Sequence, residues 1–281
     1  MNSAEMLLAD QVAVVTGGGG GIGRAIALAY ASVGADVVIG DIIPERCEET
    51  AARVREMRRQ ALAVPTDVLQ TDQIRALIDT AANHFGRLDI LVNNAGGVNG
   101  RPFLEQSERS WRKHIDLNFV SMLAATSAAA PIIIKGGRGG SIINVASIEG
   151  SRAAPNYAVY AACKAAMLNF TRTMALELSD HGIRVNAIAP DYTVTPGMRG
   201  NHTGPVDPST WQNPTKEQEG VMSSRIPLGR GGIDTECGDL AVFLSSRMSS
   251  YITGVVIPID GGTWASAGWL RGRDKKWVLS Q

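Results

Sequence analysis

The sequence is poor in cysteine. Cys47, Cys163 and Cys237 are spread over 281 residues. They are too few and too scattered for a disulfide framework or a zinc site, so a reducing compartment is expected and no metal. Net charge is also missing: 27 Lys plus Arg balance 27 Asp plus Glu. A neutral chain has no global attraction to nucleic acid or to an anionic membrane, and neither is expected as a partner. Nor is there charge repulsion between copies, which permits self-association. No run of 18 or more apolar residues occurs, and the opening MNSAEMLLAD has no basic stretch leading into an apolar one. Neither a transmembrane helix nor a signal peptide is expected, and the cytoplasm is the expected location.

What the chain has in quantity is apolar residues, 44%, and glycine, 31 residues in short clusters. Apolar runs at 11–16, 36–41, 61–67, 88–96, 141–147, 183–190 and 254–262 read as strands. Helical patterns fall between them: one ending at Gly34, then 44–60, 71–86, 103–134, 156–181 and 235–246. Strands alternating with helices predict an α/β fold, a Rossmann-like doubly wound parallel sheet of about seven strands with helices on both faces. No linker or repeat divides the chain, so a single domain over 8–264 is expected. Within it, residues 191–228 have no clear period and read as a loop region with short helices, a candidate substrate lid or an ordinary surface excursion.

The chemistry concentrates at strand ends. Thr16-Gly17-Gly18-Gly19-Gly20-Gly21-Ile22-Gly23 lies between a strand and a helix. Glycines there allow close approach of a pyrophosphate to a helix N-terminus, whose free N–H groups favour an anion. Asp41 closes the second strand and can accept hydrogen bonds from ribose hydroxyls while repelling a 2′-phosphate, so NAD rather than NADP is expected. Neither Gly20 nor Ile42 carries a compensating charge; Arg24 and Arg46 are the cations that could swing toward a phosphate. A plain turn role for Asp41 is the alternative. Asp67-Val68 ends the third strand, where Asp67 could meet an adenine amino group or cap the next helix. Asn93-Asn94-Ala95-Gly96 ends the fourth, beside a cofactor or as turn chemistry.

Ser147, Tyr160 and Lys164 form the most informative set. Tyr160 and Lys164, four apart on one helix, share a face, and a cation beside a phenol favours the phenolate and hence acid/base work. Ser147 can donate to a substrate oxygen. A surface Tyr–Lys pair is the bland alternative. Tyr157 is the rival tyrosine, but Ala161, not Lys, stands four residues after it.

With Asn118, the 13-residue step from Ser147 to Tyr160, and Tyr160-Ala161-Ala162-Cys163-Lys164, the chain resembles the classical short-chain dehydrogenases/reductases over roughly 8–264. The resemblance implies a catalytic set of Asn118, Ser147, Tyr160 and Lys164, with Tyr160 the acid/base and Asn118 part of a water-linked proton relay. It implies a cofactor cradle of Gly17, Gly20, Gly21, Ile22, Gly23, Asp41, Ile42, Asp67, Val68, Asn94, Ala95, Gly96, Tyr160, Lys164, Pro190, Thr193 and Thr195. Hydride would pass between the nicotinamide and a secondary alcohol or ketone.

Tyr192, Met198, Trp211, Val221 and Met222 could line an apolar pocket for a steroid, terpenoid or acyl substrate. A 3-oxoacyl-thioester reductase is the close rival. A catalytically silent dinucleotide-binding regulator and a nucleotide-sugar epimerase are more distant ones.

Two departures from the family stand out. Pro190-Asp191 replaces the usual Pro-Gly, and an arm, 265–281, runs past the usual end, with Trp264 just before it and Trp269 and Trp277 within it. The arm is expected to reach a neighbouring subunit. The family's long helices, here 103–134 and 156–181, imply a homotetramer, with a dimer as the fallback.

Overall fold

The computed structural model describes residues 7–272 and 274–279. Residues 1–6 of the opening MNSAEMLLAD, and the arm's Arg273, Ser280 and Gln281, lie outside the described residues. Seven parallel strands form one sheet: β1 (Val12–Thr16), β2 (Asp36–Asp41), β3 (Ala61–Pro65), β4 (Ile90–Asn93), β5 (Gly140–Val145), β6 (Ile183–Pro190) and β7 (Val256–Ile259). Their spatial order is 3-2-1-4-5-6-7. The order reverses between β1 and β4, so the crevice beyond their carboxyl ends is the natural ligand site. The expected single-domain doubly wound sheet is present, with several strands shorter than their apolar runs because chain ends at 94–96 and 260–262 turn away into loops.

Two apolar layers sandwich the sheet. One packs α1 (Gly21–Ser32), α2 (Pro44–Glu56) and α8 (Asp234–Ser245) around Ile26, Tyr30, Ile39 and Val54. The other packs α3 (Thr71–Phe85), α5 (Ser121–Gly136) and α6 (Ala158–Glu177) around Leu77, Leu91, Ile133 and Val185. Strands buried on both faces explain the unbroken apolar runs. Gly238 lets α8 approach α1 closely: a Cβ there would stand 2.9 Å from the Ala25 carbonyl oxygen.

The expected helix 103–134 begins with a 3₁₀ turn, Phe103–Glu105. It then runs unbroken from α4 (Glu108–Ile115) through a π-helical turn, Asp116–Val120, into α5. At 29 residues and with a mean hydropathy of 1.8 in its most apolar window, this helix is long and apolar enough to cross a membrane. Its apolarity serves the core, since Met122, Ala125, Ala129 and Ile133 are buried. The stretch 191–228 contains α7 (Lys216–Arg225), opened by a capping box of Thr215 and Gln218.

The described part of the arm folds back on its own chain. Leu270–Arg271 pairs with Trp277–Val278. Arg271 Nη2 donates to the Pro227 carbonyl at 2.8 Å, and its guanidinium lies 5.0 Å from the Trp277 ring centre.

Candidate active site

The glycine-rich turn is built by contacts that exclude side chains. Gly17 has φ +64° and Gly21 φ +51°, left-handed values that favour glycine. A Cβ on Gly23 would lie 2.1 Å from the Gly17 carbonyl oxygen. Gly21 faces Thr195, whose Cβ would be 3.1 Å from a methyl added there. Thr195 and Pro196 are thereby brought against the N-terminus of α1.

Asn94 fastens the turn to β4. Its Nδ2 donates to the carbonyls of Thr16 and Gly17, both at 3.0 Å, while the Thr16 hydroxyl accepts from the Asn94 and Ala95 amides at 3.1 Å. Asn93 points the other way, into the core, and donates to Asn144 at 2.9 Å and to Thr126 at 3.1 Å.

Asp41 stands against the same turn. Its carboxylate accepts from the Gly19 amide at 3.0 Å and from the Ile43 amide at 3.0 Å. Positive charge is nearer than the sequence around Gly20 and Ile42 implies. Arg46 Nη1 would lie 3.5 Å from a Cβ on Gly20. Helix α2 folds back over β2 and places that side chain there, although five residues separate it from Asp41. Arg24 is committed elsewhere: it forms a bidentate pair with Glu49 at 2.8 and 2.9 Å and donates to the Gly19 carbonyl at 3.0 Å.

Asp67 accepts from the Leu69 amide at 3.0 Å and does not cap α3, whose cap position is Gln70. Val68 is core, and Ile42 is exposed at the strand end.

Ser147, Tyr160 and Lys164 converge beyond β5. Ser147 follows that strand, donates to the Pro190 carbonyl at 3.3 Å and hydrogen-bonds the Tyr160 hydroxyl. Lys164 is fully buried and donates to the Val145 carbonyl at 2.8 Å, with its Nζ 5.6 Å from the Tyr160 ring centre. Burial pulls the Lys164 ammonium down to about 8. Burial also pushes the Tyr160 phenol above its ordinary value, opposed by the Ser147 hydrogen bond and reinforced by Glu149. The expected downward pull of Lys164 on Tyr160 is not among the influences that set this direction.

Asn118 is wholly buried in the π-turn. Such a turn shifts the helical hydrogen bonding by one residue. Asn118 Nδ2 donates to His114 O at 3.0 Å and to Gly97 O at 2.9 Å, and Oδ1 accepts from the Gly97 amide at 3.1 Å. A Cβ on Gly96 would stand 2.9 Å from Asn118 Oδ1 and 3.6 Å from Lys164 Nζ. Gly96 thus keeps open the space between the lysine, the asparagine and the β4 turn, which suits a flat ring and its ribose.

Thr193 is not part of this group. It is buried, donates to the Asp191 carbonyl at 3.4 Å and bonds Cys237 of α8.

One charged cluster went unmarked by any sequence pattern. Arg152 pairs with Glu149 at 2.8 Å and approaches Asp191 at 3.6 Å. Only the Asp191 departure flagged the place. Of the five apolar residues expected to line a pocket, Tyr192 lines a cavity of about 570 Å³ together with Pro227, Leu228 and Ile259 rather than with the other four.

Fold and site together define a nucleotide-binding α/β oxidoreductase: a glycine cradle at the reversal point of the sheet and a Ser–Tyr–Lys group facing it. The profile described as Enoyl-(Acyl carrier protein) reductase matches residues 17–263. The chain belongs to the short-chain dehydrogenase/reductase family. It is 37% identical over 257 residues to the 3-oxoacyl-[acyl-carrier-protein] reductase of Thermotoga maritima, covering 92% of this chain and 99% of that one. A short-chain type dehydrogenase/reductase from Mycobacterium marinum superposes with TM-score 0.81 at 33% identity, covering 92% and 97%. Carveol dehydrogenase from Mycobacterium avium, in complex with NAD, superposes with TM-score 0.83 at 31% identity, covering 92% and 99%.

Proposed function

We propose that the protein is an NAD-dependent dehydrogenase that interconverts a secondary alcohol and its ketone, with Tyr160 as acid/base. The observation that carries this is the convergence of Ser147, Tyr160 and Lys164 beyond β5, with Lys164 bordering the space that Gly96 leaves open. The residues fit a nicotinamide dinucleotide: the cradle of Gly17 to Gly23 takes the pyrophosphate, Asp41 the adenosine ribose, and Lys164 the second ribose. When bound, the nicotinamide supplies the hydride acceptor or donor.

In the oxidative direction, Tyr160 Oη takes the proton of the alcohol. Ser147 turns its hydroxyl from the long bond to Pro190 toward the same oxygen and holds it. In reduction the proton returns along the same line. The nearby ammonium of Lys164 favours the charged phenolate at the moment it forms.

The substrate carries an apolar body. Exposed Val98, Phe103 and Leu104 follow β4, and exposed Met198 follows β6, so both groups come from loops at the ligand edge of the sheet. The Glu149–Arg152–Asp191 cluster sets a charged border beside Ser147, so the apolar body lies on the side of the loops that follow β4. Like its family's long-helix members, the chain assembles as a homotetramer. An outward stripe of Ala158, Ala162 and Ala165 on α6 permits close helix approach.

The test is a screen of cyclic secondary alcohols, hydroxysteroids and hydroxyacyl thioesters with NAD and with NADP, following reduced nicotinamide absorbance. Turnover confined to hydroxyacyl thioesters with NADP would replace this reading with the reductase one.

A further inference from the structure

Residues 201–207 of the lid do not hang free. Asn201, buried, donates from Nδ2 to the carbonyls of Thr203 at 3.1 Å and Pro205 at 3.2 Å, and its Oδ1 accepts from the Asp207 amide at 2.9 Å. One side chain thereby closes the segment into a compact loop. That loop is fastened to α2 at two points. Arg46 donates from Nε to Gly204 O at 2.6 Å and from Nη2 to Asn201 O at 2.9 Å and Thr203 O at 3.4 Å. Glu49 accepts from the Val206 amide while holding Arg24.

Arg46 is therefore a buried cation whose Nε and Nη2 donate to neutral backbone carbonyls, with the Asp41 and Glu49 carboxylates close enough to favour its charge. It also borders the place where the adenosine ribose lies on the reading above. Its Cβ would be 2.8 Å from a methyl on Gly19, as would Asp41 Cγ, and its Nη1 faces Gly20. An arginine at this place is an obvious partner for a phosphate on the ribose, since guanidinium–phosphate pairs are strong and bidentate. Here the lid occupies it. Turning Arg46 toward a phosphate would strip the Asn201 and Gly204 carbonyls of its donors, while the Thr203 carbonyl keeps Asn201 Nδ2, a cost that competes with the gain.

We propose that Arg46 is a determinant of cofactor choice that the lid holds in its inactive setting, with Asn201 as the positioning residue. Asp41 repels a 2′-phosphate, and the loop 201–206 withholds the arginine placed to compensate. Releasing the loop converts Arg46 into a phosphate ligand. The inference rests on the reading that a nicotinamide dinucleotide binds with its adenosine ribose at Asp41.

The experiment measures dissociation constants of NAD, NADP, ADP and 2′,5′-ADP by titration calorimetry on the full chain. The variants are Arg46→Ala, Asn201→Ala, Val206→Pro, which removes the amide that Glu49 holds, and the double variant Asn201→Ala/Arg46→Ala. Circular dichroism melts confirm folding, and Val206→Pro stands in if Asn201→Ala does not fold. Releasing the loop should tighten 2′,5′-ADP relative to ADP by about tenfold, with NADP shifting likewise against NAD. The gain should vanish in the double variant, and Arg46→Ala alone should leave both ratios unchanged.

An unaltered ratio in the released variants overturns the proposal, as does a gain that survives loss of Arg46. Loss of 2′,5′-ADP affinity in Arg46→Ala alone also overturns it, because the wild-type arginine would then already read phosphate. A wild-type chain that binds neither ADP nor 2′,5′-ADP instead sinks the dinucleotide reading itself, so the two failures are told apart.

Discussion

The Lys164 ammonium is tied to the Val145 carbonyl at 2.8 Å, at the end of a strand and away from bulk water. Burial lowers it from 10.5 to about 8. In the cofactor-free protein the lysine is thus a destabilising charge placed where a ribose and a phenolate would use it.

Lys164→Met should raise the stability of the cofactor-free chain at pH 7 while removing activity. The folded pKa lies below the unfolded one, so the unfolded state binds more protons between pH 8 and 10.5. Wild-type stability should therefore climb across that window, and the penalty is fully present below it. The size is about 3 kcal/mol, at roughly 1.4 kcal/mol per unit. Urea unfolding at pH 7 and at alkaline pH, without nucleotide, measures it. A variant clearly less stable than wild type at pH 7 contradicts the account.

Tyr160→Phe should lower turnover by about 10²-fold or more with little change in nucleotide affinity. Tyr157→Phe should be mild. Because burial holds the Tyr160 phenol above its ordinary value, kcat/KM for alcohol oxidation should rise with pH through the alkaline range. Ketone reduction starts from the protonated phenol and should stay flat there. Near-normal turnover in Tyr160→Phe, with loss in Tyr157→Phe, would assign the role to the wrong tyrosine.

Asp41→Ala removes the carboxylate on the Gly19 amide. The preference for NAD over NADP should shrink by about tenfold or more, the equivalent of roughly 1.4 kcal/mol of relieved repulsion. Steady-state kcat/KM with each cofactor decides it. A wild-type preference for NADP would defeat the premise.

Gly23→Ala and Gly86→Ala separate contact from conformation. A methyl on Gly23 meets the Gly17 carbonyl at 2.1 Å, so the cradle must move. The loss should be about 2 kcal/mol or more, together with nucleotide binding. Gly86 has φ +66° and open space around it. Alanine there should cost about 1 kcal/mol and leave binding alone. Thermal melts and calorimetry on both variants test the contrast.

Sedimentation velocity at micromolar concentration should show a species of four times the 29.8 kDa chain. Full activity in a single 29.8 kDa species would rule out the tetramer. Truncation after Gly262 should loosen α7, because Arg271 holds the Pro227 carbonyl.

Much of the site was legible because its chemistry is local in sequence. Five consecutive glycines after a β-branched strand specify a tight turn wherever they occur, and Tyr160 and Lys164 share a helix face by spacing alone. The apolar runs fixed the alternation of strand and helix, since a doubly covered sheet needs them. Thr193 reads like Thr195 in sequence, yet the backbone turns one toward Cys237 and the other onto Gly21.

The sequence by itself determined the parallel α/β sheet and the glycine turn, because both follow from short-range spacing and periodicity, and its resemblance to the family pointed to the Ser147–Tyr160–Lys164 group. Only the tertiary structure decided where the charges go. Arg46 meets lid carbonyls 155 to 158 residues away, Lys164 binds a strand carbonyl instead of freely facing Tyr160, and Arg152 joins Glu149 to Asp191. The physical reason is that a buried charge is governed by the donors, acceptors and dielectric that packing places around it, and those arrive from elements distant in the chain.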